Sequence, residues 1–242
     1  AERTLVIFTS DNGAGMRGPK PNPKARFPGR SFGGSNSPLR AGKGSTYEGG
    51  IRVPCIARWP GTIAAGRTEA APGSTLDFFP TLARLARASV PAGLELDGMD
   101  LGPVLRGESS TVAARTMFHY FGVQLQALRE GPWKLIVPIA QLPETRVPSI
   151  WFDHLPGTFE RQHRVMPKAE LFNLAEDVGE KNNVAETHPE VVARLLAKAR
   201  DFDRRFQAEM PAVRYLPGPR QPAPGQIRQP EDDIRSWIEL AR

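Results

Sequence analysis

A single cysteine, Cys55, stands in 242 residues, which excludes an intramolecular disulfide framework. It alternates with Val53 and Ala57 on a predicted strand, where a buried, inert thiol is expected. No apolar run approaches the roughly 20 residues of a membrane-spanning helix, so no membrane span is expected. Aromatic residues make up 8% of the chain and are not interleaved with the basic ones, which argues against a stacking platform for nucleic acid. No GxxxxGK(S/T) phosphate loop, internal repeat or low-complexity tract is present. The hydrophobic content of 40% is nevertheless enough for a sizeable core, and disorder is not the default.

Acidic residues are scarce where basic ones concentrate. Residues 1–68 carry eleven Lys/Arg and three Asp/Glu, a net of +8, whereas the rest of the chain is at −2. A basic field of this kind raises the local concentration of anionic substrates. Within it, residues 17–30 place Arg17, Lys20, Lys24, Arg26 and Arg30 among prolines and glycines, and read as a mobile loop able to help select a substrate.

Two motifs lie in the same basic segment. Leu5 to Phe8 is a short apolar run, the pattern of a strand buried on both faces in a parallel sheet. It ends on Asp11-Asn12-Gly13, at the strand terminus where open α/β sheets place their ligands. A carboxylate beside an amide carbonyl offers hard oxygen donors, suited to Ca²⁺ or Mg²⁺, although an isolated Asp-Asn-Gly reads first as a plain turn. The second motif is Leu39-Arg-Ala-Gly-Lys-Gly-Ser-Thr-Tyr-Glu-Gly-Gly-Ile-Arg-Val-Pro54. Lys43 stands between Gly42 and Gly44, and the Gly49-Gly50 pair is expected to run directly into a strand. A lysine so placed is a compact charge that can meet an anion, and read alone it is also a solvated surface lysine.

Together these blocks resemble the C-terminal half of the type I sulfatases, the arylsulfatase-like branch of the alkaline phosphatase superfamily. The resemblance continues through Arg58-Trp59-Pro60-Gly61, Thr75-Leu-Asp-Phe-Phe-Pro-Thr-Leu82, Leu96-Asp-Gly-Met-Asp-Leu101, Ala127 to Leu135, Glu170 to Asp177 and Asn182-Asn-Val184. It implies that Asp11 and Asn12 complete a Ca²⁺ shell, with Mg²⁺ as the alternative ion, and that Lys43 contacts the sulfate. The family's nucleophile is a Cys or Ser in a C/S-x-P-x-R motif, converted to formylglycine. Cys55 is followed by Ile56, Ala57 and Arg58 and does not fit, and Asn36-Ser-Pro-Leu-Arg40 has asparagine where the nucleophile belongs. The chain therefore reads as the latter half of a sulfatase, with formylglycine expected only upstream. The resemblance implies a periplasmic or extracellular enzyme, with no signal region in this chain.

Beyond residue 74 the sequence reads as scaffold. Ser74-Thr-Leu-Asp77 matches a capping box, followed by Phe78, Leu82, Leu85 and Ala86 at helical spacing, with Pro80 tolerated if it falls in the first turn. Met117–Phe121, 124–129 and Trp133–Val137 are predicted strands of an antiparallel meander, and His119 belongs to the first. Thr187-His-Pro-Glu190 predicts a second capping box opening a long helix, with His188 structural and an apolar stripe of Val191, Val192, Leu195, Leu196, Phe202 and Phe206. Residues 138–168 fit no regular pattern. Their His154 and His163 read as exposed loop histidines or, by the family resemblance, as contacts to a sugar or aryl group. Residues 216–230 read as a proline-rich arm, followed by a short amphipathic helix.

The expected fold is α/β: the closing part of a large mixed sheet flanked by helices, then a small antiparallel sheet with a long helix. The expected division is 1–111 for the catalytic part, 112–215 for the sheet-and-helix subdomain and 216–242 for the arm. The implied function is hydrolysis of an aryl or carbohydrate sulfate ester, the small-molecule or carbohydrate ester being the only partner expected. A phosphatase, phosphodiesterase or phosphonate hydrolase of the same superfamily, or an inactive binding fragment, are the alternatives.

Overall fold

A computed structural model of the chain describes residues 2–15, 34–122, 124–140 and 165–209. The basic segment 17–30, residues 216–242, and His154 and His163 lie outside the described residues. Strand β1 (Val6–Thr9) pairs antiparallel with β2 (Cys55–Arg58), setting Val6 opposite Arg58 and Thr9 opposite Cys55. A single helical turn, α1 (Glu48–Ile51), precedes β2. A 3₁₀ turn (Thr75–Asp77) then leads into α2 (Phe78–Leu85), followed by α3 (Gly102–Arg106). The four-stranded sheet has the order β3 (Thr116–Phe121), β4 (Gln124–Glu130), β5 (Trp133–Ile136), β6 (Glu170–Asn173), with every neighbour antiparallel. Helix α4 (Pro189–Glu209) closes the described part.

The four-stranded sheet holds the core because alternate residues point to opposite faces and both faces are covered. Leu128, Leu135 and Leu171 meet Leu195 and Ala199 of α4 on one face. Ala127, Ile136 and Phe172, their neighbours in sequence, pack against Tyr47 on the other. Farther along α4, Phe202 stacks on Phe118 at 3.8 Å between ring centroids, and Tyr120 donates to Asp203 Oδ1 at 2.8 Å. Gly131, at φ 57°, makes the tight turn from β4 to β5, a backbone region that favours glycine. The expected meander is present, with β6 as its added fourth strand.

Four expectations are corrected. The run Leu5 to Phe8 forms a strand, but β2 is its antiparallel neighbour, and the parallel partners that its composition predicts are not among the described strands. Phe8 is accordingly 63% and Ile56 62% exposed, because no described layer covers them. Cys55 is exposed and not buried, for the same reason. The Gly49-Gly50 pair lies inside α1, not at the head of a strand. Around Thr187 the hydroxyl donates to the Val184 carbonyl at 3.0 Å and pairs with His188 Nδ1, in place of the reciprocal bonds of a capping box; the helix still opens on Pro189.

At the other capping box sequence and structure agree. The Ser74 hydroxyl accepts from Leu76 N–H, and the Asp77 carboxylate accepts from Ser74 N–H at 2.7 Å, with Pro80 in the first turn of α2. Asp77 is buried and also receives both arms of Arg115, at 2.6 and 2.7 Å. Burial raises its carboxyl pKa, but the Arg115 pair and the Met99 and Ser74 amides outweigh that and hold it below the usual range.

Candidate functional site

Three stretches of backbone converge at the end of β1. Ser10 Oγ donates to the Asn12 carbonyl at 2.9 Å, tightening the turn that carries Asp11 and Asn12. Gly13 N–H then donates to the Gly50 carbonyl at 3.0 Å. A Cβ at Gly13 would stand 1.8 Å from Gly49 O, so this turn requires glycine for close backbone approach. Asn36 joins the next stretch: its Oδ1 accepts from Ala14 N–H at 2.8 Å, while its Nδ2 donates to the Ala14 carbonyl at 2.9 Å and the Ala41 carbonyl at 3.2 Å. Lys43 N–H donates to the same Ala14 carbonyl at 3.1 Å. The loop bearing Lys43 and the turn bearing Asp11 and Asn12 are thus hydrogen-bonded into one surface.

At that surface Asp11 and Lys43 are exposed and Asn12 is half-buried. Among the described residues neither the Asp11 carboxylate nor the Lys43 ammonium has an ion-pair partner. Beyond the tip formed by Lys43 and Gly44, every residue from Ser45 to Gly50 is buried. The glycines at 49 and 50 are needed for packing: a Cβ at Gly49 would lie 2.3 Å from Ala41 O, and one at Gly50 2.1 Å from Ser45 O.

The root of the loop is held by charges set into the sheet. Glu48 is 1% exposed and its carboxylate meets Lys134 Nζ at 2.8 Å and Arg129 at 3.4 Å. Glu48 N–H donates to Glu180 Oε2 at 2.8 Å. Tyr47 donates to Glu170 at 2.9 Å, and Arg40 bonds the same carboxylate while lying 4.0 Å over the Tyr47 ring. Burial pushes the Lys134 ammonium down, against the pull of Glu48. Burial pushes Glu180 up to about 7, opposed by Lys134, and its buried Oε1 has no hydrogen-bond partner among the described residues. Burial, then the hydrogen bond to Glu170, pushes Tyr47 up to about 12. His119 is driven down to about 3 by burial and by the positive charges of Lys134 and Arg129.

Asp11 and Asn12 are the candidate ligands of a hard divalent cation. A carboxylate and an amide carbonyl at one strand terminus have the right donor chemistry. Among the described residues no group of three or more His, Cys, Asp or Glu that could hold a metal ion joins them.

Family models described as "Sulfatase" and "C-terminal region of aryl-sulfatase" match residues 1–88 and 112–219. The chain belongs to the sulfatase family. It is 34% identical over 251 residues to the steryl-sulfatase of Mus musculus, a match covering 99% of this chain and 37% of that protein. To the N-acetylgalactosamine-6-sulfatase of Canis lupus familiaris it is 42% identical over 134 residues, covering 55% of this chain and 23% of that one. Its fold resembles the crystal structure of the PsFucS1 sulfatase from Pseudoalteromonas sp., with TM-score 0.59 and 25% identity, over 84% of this chain and 38% of the other. This sulfatase chain spans less than half the length of these relatives.

Two participants escaped sequence reasoning. Asn36, which stood out only as the wrong residue for a nucleophile, is the staple between the two site loops. Glu48 lay inside a recognised block, but no local signal marks it as a buried ion-pair partner for a lysine 86 residues away.

Proposed function

We propose that the protein carrying this chain hydrolyses an aryl or carbohydrate sulfate ester, with Lys43 contacting the sulfate and Asp11 and Asn12 contributing to a Ca²⁺ site. The observation that supports this reading is the hydrogen-bonded union of the two loops through Lys43 N–H and the Ala14 carbonyl, on a chain of the sulfatase family. Among the described residues it leaves an ammonium and a carboxylate without ion-pair partners on one surface. A bound divalent cation would supply positive charge to the sulfate oxygens. The Lys43 ammonium supplies more, held on a loop whose backbone is already fixed, so little reorganisation accompanies the reaction. The basic excess of residues 1–68 favours arrival of an anionic ester.

In this reading residues 1–111 close the catalytic domain, 112–215 form the supporting subdomain and 216–242 an arm, and the enzyme works in the periplasm or outside the cell. No helix among the described residues is long and apolar enough to cross a membrane. The test is a comparison of aryl sulfate and aryl phosphate hydrolysis by the longer protein that carries this chain. Preferential sulfate hydrolysis is expected. Phosphate hydrolysis with no activity on sulfate would transfer the site to phosphorus chemistry.

A further inference from the structure

A lysine and a glutamate buried together are costly, since the desolvation of both charges offsets much of their attraction. Lys134 and Glu48 are 0% and 1% exposed, yet their charged atoms meet at 2.8 Å. An apolar pair of similar volume would serve stability as well or better, so burial alone does not explain the pair. Its location suggests another role. Glu48 lies five residues after Lys43, at the buried root of a loop whose tip is exposed. Its carboxylate reaches β5 through Lys134 and β4 through Arg129, while its own N–H is fixed by Glu180 beyond β6. From that root the chain returns to the tip by short backbone bonds: Gly49 N–H to the Arg40 carbonyl at 2.8 Å and Ser45 N–H to the Gly42 carbonyl at 3.1 Å.

We propose that Glu48 is a positioning residue, whose ion pair with Lys134 registers the Lys43 loop against the four-stranded sheet and so fixes where the Lys43 ammonium stands relative to the turn of Asp11 and Asn12. The functional part of this inference rests on the sulfatase reading; the mechanical part does not. An apolar contact tolerates sliding, whereas a buried carboxylate has one ammonium to meet and leaves an uncompensated charge if it moves. The helical turn that carries Glu48 has no freedom of its own, because Gly49 and Gly50 are in close backbone contact with Arg40, Ala41 and Ser45. A displacement at Glu48 is therefore transmitted to the tip.

The experiment removes both charges of the pair at once, with Glu48→Gln and Lys134→Met in the same chain, so that neither member of the pair is left buried without the other. In the 242-residue chain, amide hydrogen exchange is followed by NMR alongside thermal unfolding. Exchange at Lys43 and Gly13, whose amides bond across the two loops, is expected to accelerate by about tenfold or more while β4 and β5 keep their protection and the unfolding temperature holds. Unchanged exchange at Lys43 would overturn the inference. Should the double variant not fold, Glu48→Asp carries the same test, since it keeps the charge and withdraws the carboxylate by one methylene. Faster exchange at Lys43 with an unaltered sheet supports the role, and wild-type exchange rejects it. In the longer protein the double variant should lose about 10²-fold in aryl sulfate turnover at unchanged stability, the scale expected of a misplacement of about 1 Å. Full turnover from a loosened loop would refute the positioning role. A wild-type protein inactive on sulfate esters would instead refute the sulfatase reading, with the exchange result still deciding the mechanical claim.

Discussion

At the scale of single residues, His119 provides a pH signature. Its Nε2 is buried with no hydrogen-bond partner among the described residues, and it lies near two cations. A folded-state pKa depressed to about 3 from an ordinary value near 6.5 means that the unfolded chain binds the proton more readily. The stabilisation is fully present above pH about 6.5 and is lost as pH falls toward about 3. Glu180 acts in the opposite sense: raised from 4.5 to about 7, its contribution is present below about 4.5 and is lost as pH rises through about 7. His119→Phe should therefore flatten the acid limb of the unfolding temperature between pH 6.5 and 3, and an unchanged limb would remove His119 from the account. Gly13→Ala probes the loop union. With Gly49 O in the position the new methyl needs, urea unfolding should show a loss of about 1–3 kcal/mol. Asp11, Asn12 and Lys43 were legible as candidates because chemistry-bearing residues stand beside glycines in recognisable blocks. Asn36 and Glu48 were not, because their roles depend on residues distant in sequence that only the fold brings near.

Individual elements differ in how well periodicity described them. The meander and α4 follow their patterns closely, since each has a covered face among the described residues: Leu195 is fully buried against the sheet. Leu195→Ala should cost about 2–5 kcal/mol, read as a lower urea midpoint. The apolar stripe of α2 behaves differently. Leu82 and Ala86 are exposed and Phe78 and Leu85 half-buried, and the residue that α2 buries is Thr81, with buried Asp77 just before it. Leu82→Ala in the 242-residue chain should accordingly change stability by no more than about 0.5 kcal/mol. A loss comparable to that of Leu195→Ala would show that α2 is covered. The strand β1 shows the same limit from the sequence side: its apolar run announces two covered faces, and the described residues leave the Val6 and Phe8 face exposed and the Ile7 face half-buried. Periodicity reports what a segment is built to bury, and exposure here reports what the described chain supplies.

For the whole molecule, the central claim is that this chain supplies a sulfate-binding lysine and part of a metal site to a sulfatase whose nucleophile motif it does not contain. Two oxygen donors fall short of the roughly six to eight that Ca²⁺ takes, so calorimetry on the 242-residue chain should show weak Ca²⁺ binding or none. Tight binding that survives Asp11→Ala would contradict the assignment. The most direct measurement is steady-state hydrolysis of an aryl sulfate by the longer protein, comparing Lys43→Ala with Lys20→Ala and Lys24→Ala of the basic segment. Loss of one charge donor at the reacting group should reduce turnover by about 10²–10³-fold in Lys43→Ala, with the unfolding temperature unchanged. Lys43→Arg should recover part of it, because a planar guanidinium does not occupy the place of a compact ammonium. The two segment lysines should act mainly on substrate capture, an effect that added salt screens. Near-parental turnover in Lys43→Ala, with either segment lysine indispensable, would contradict the account.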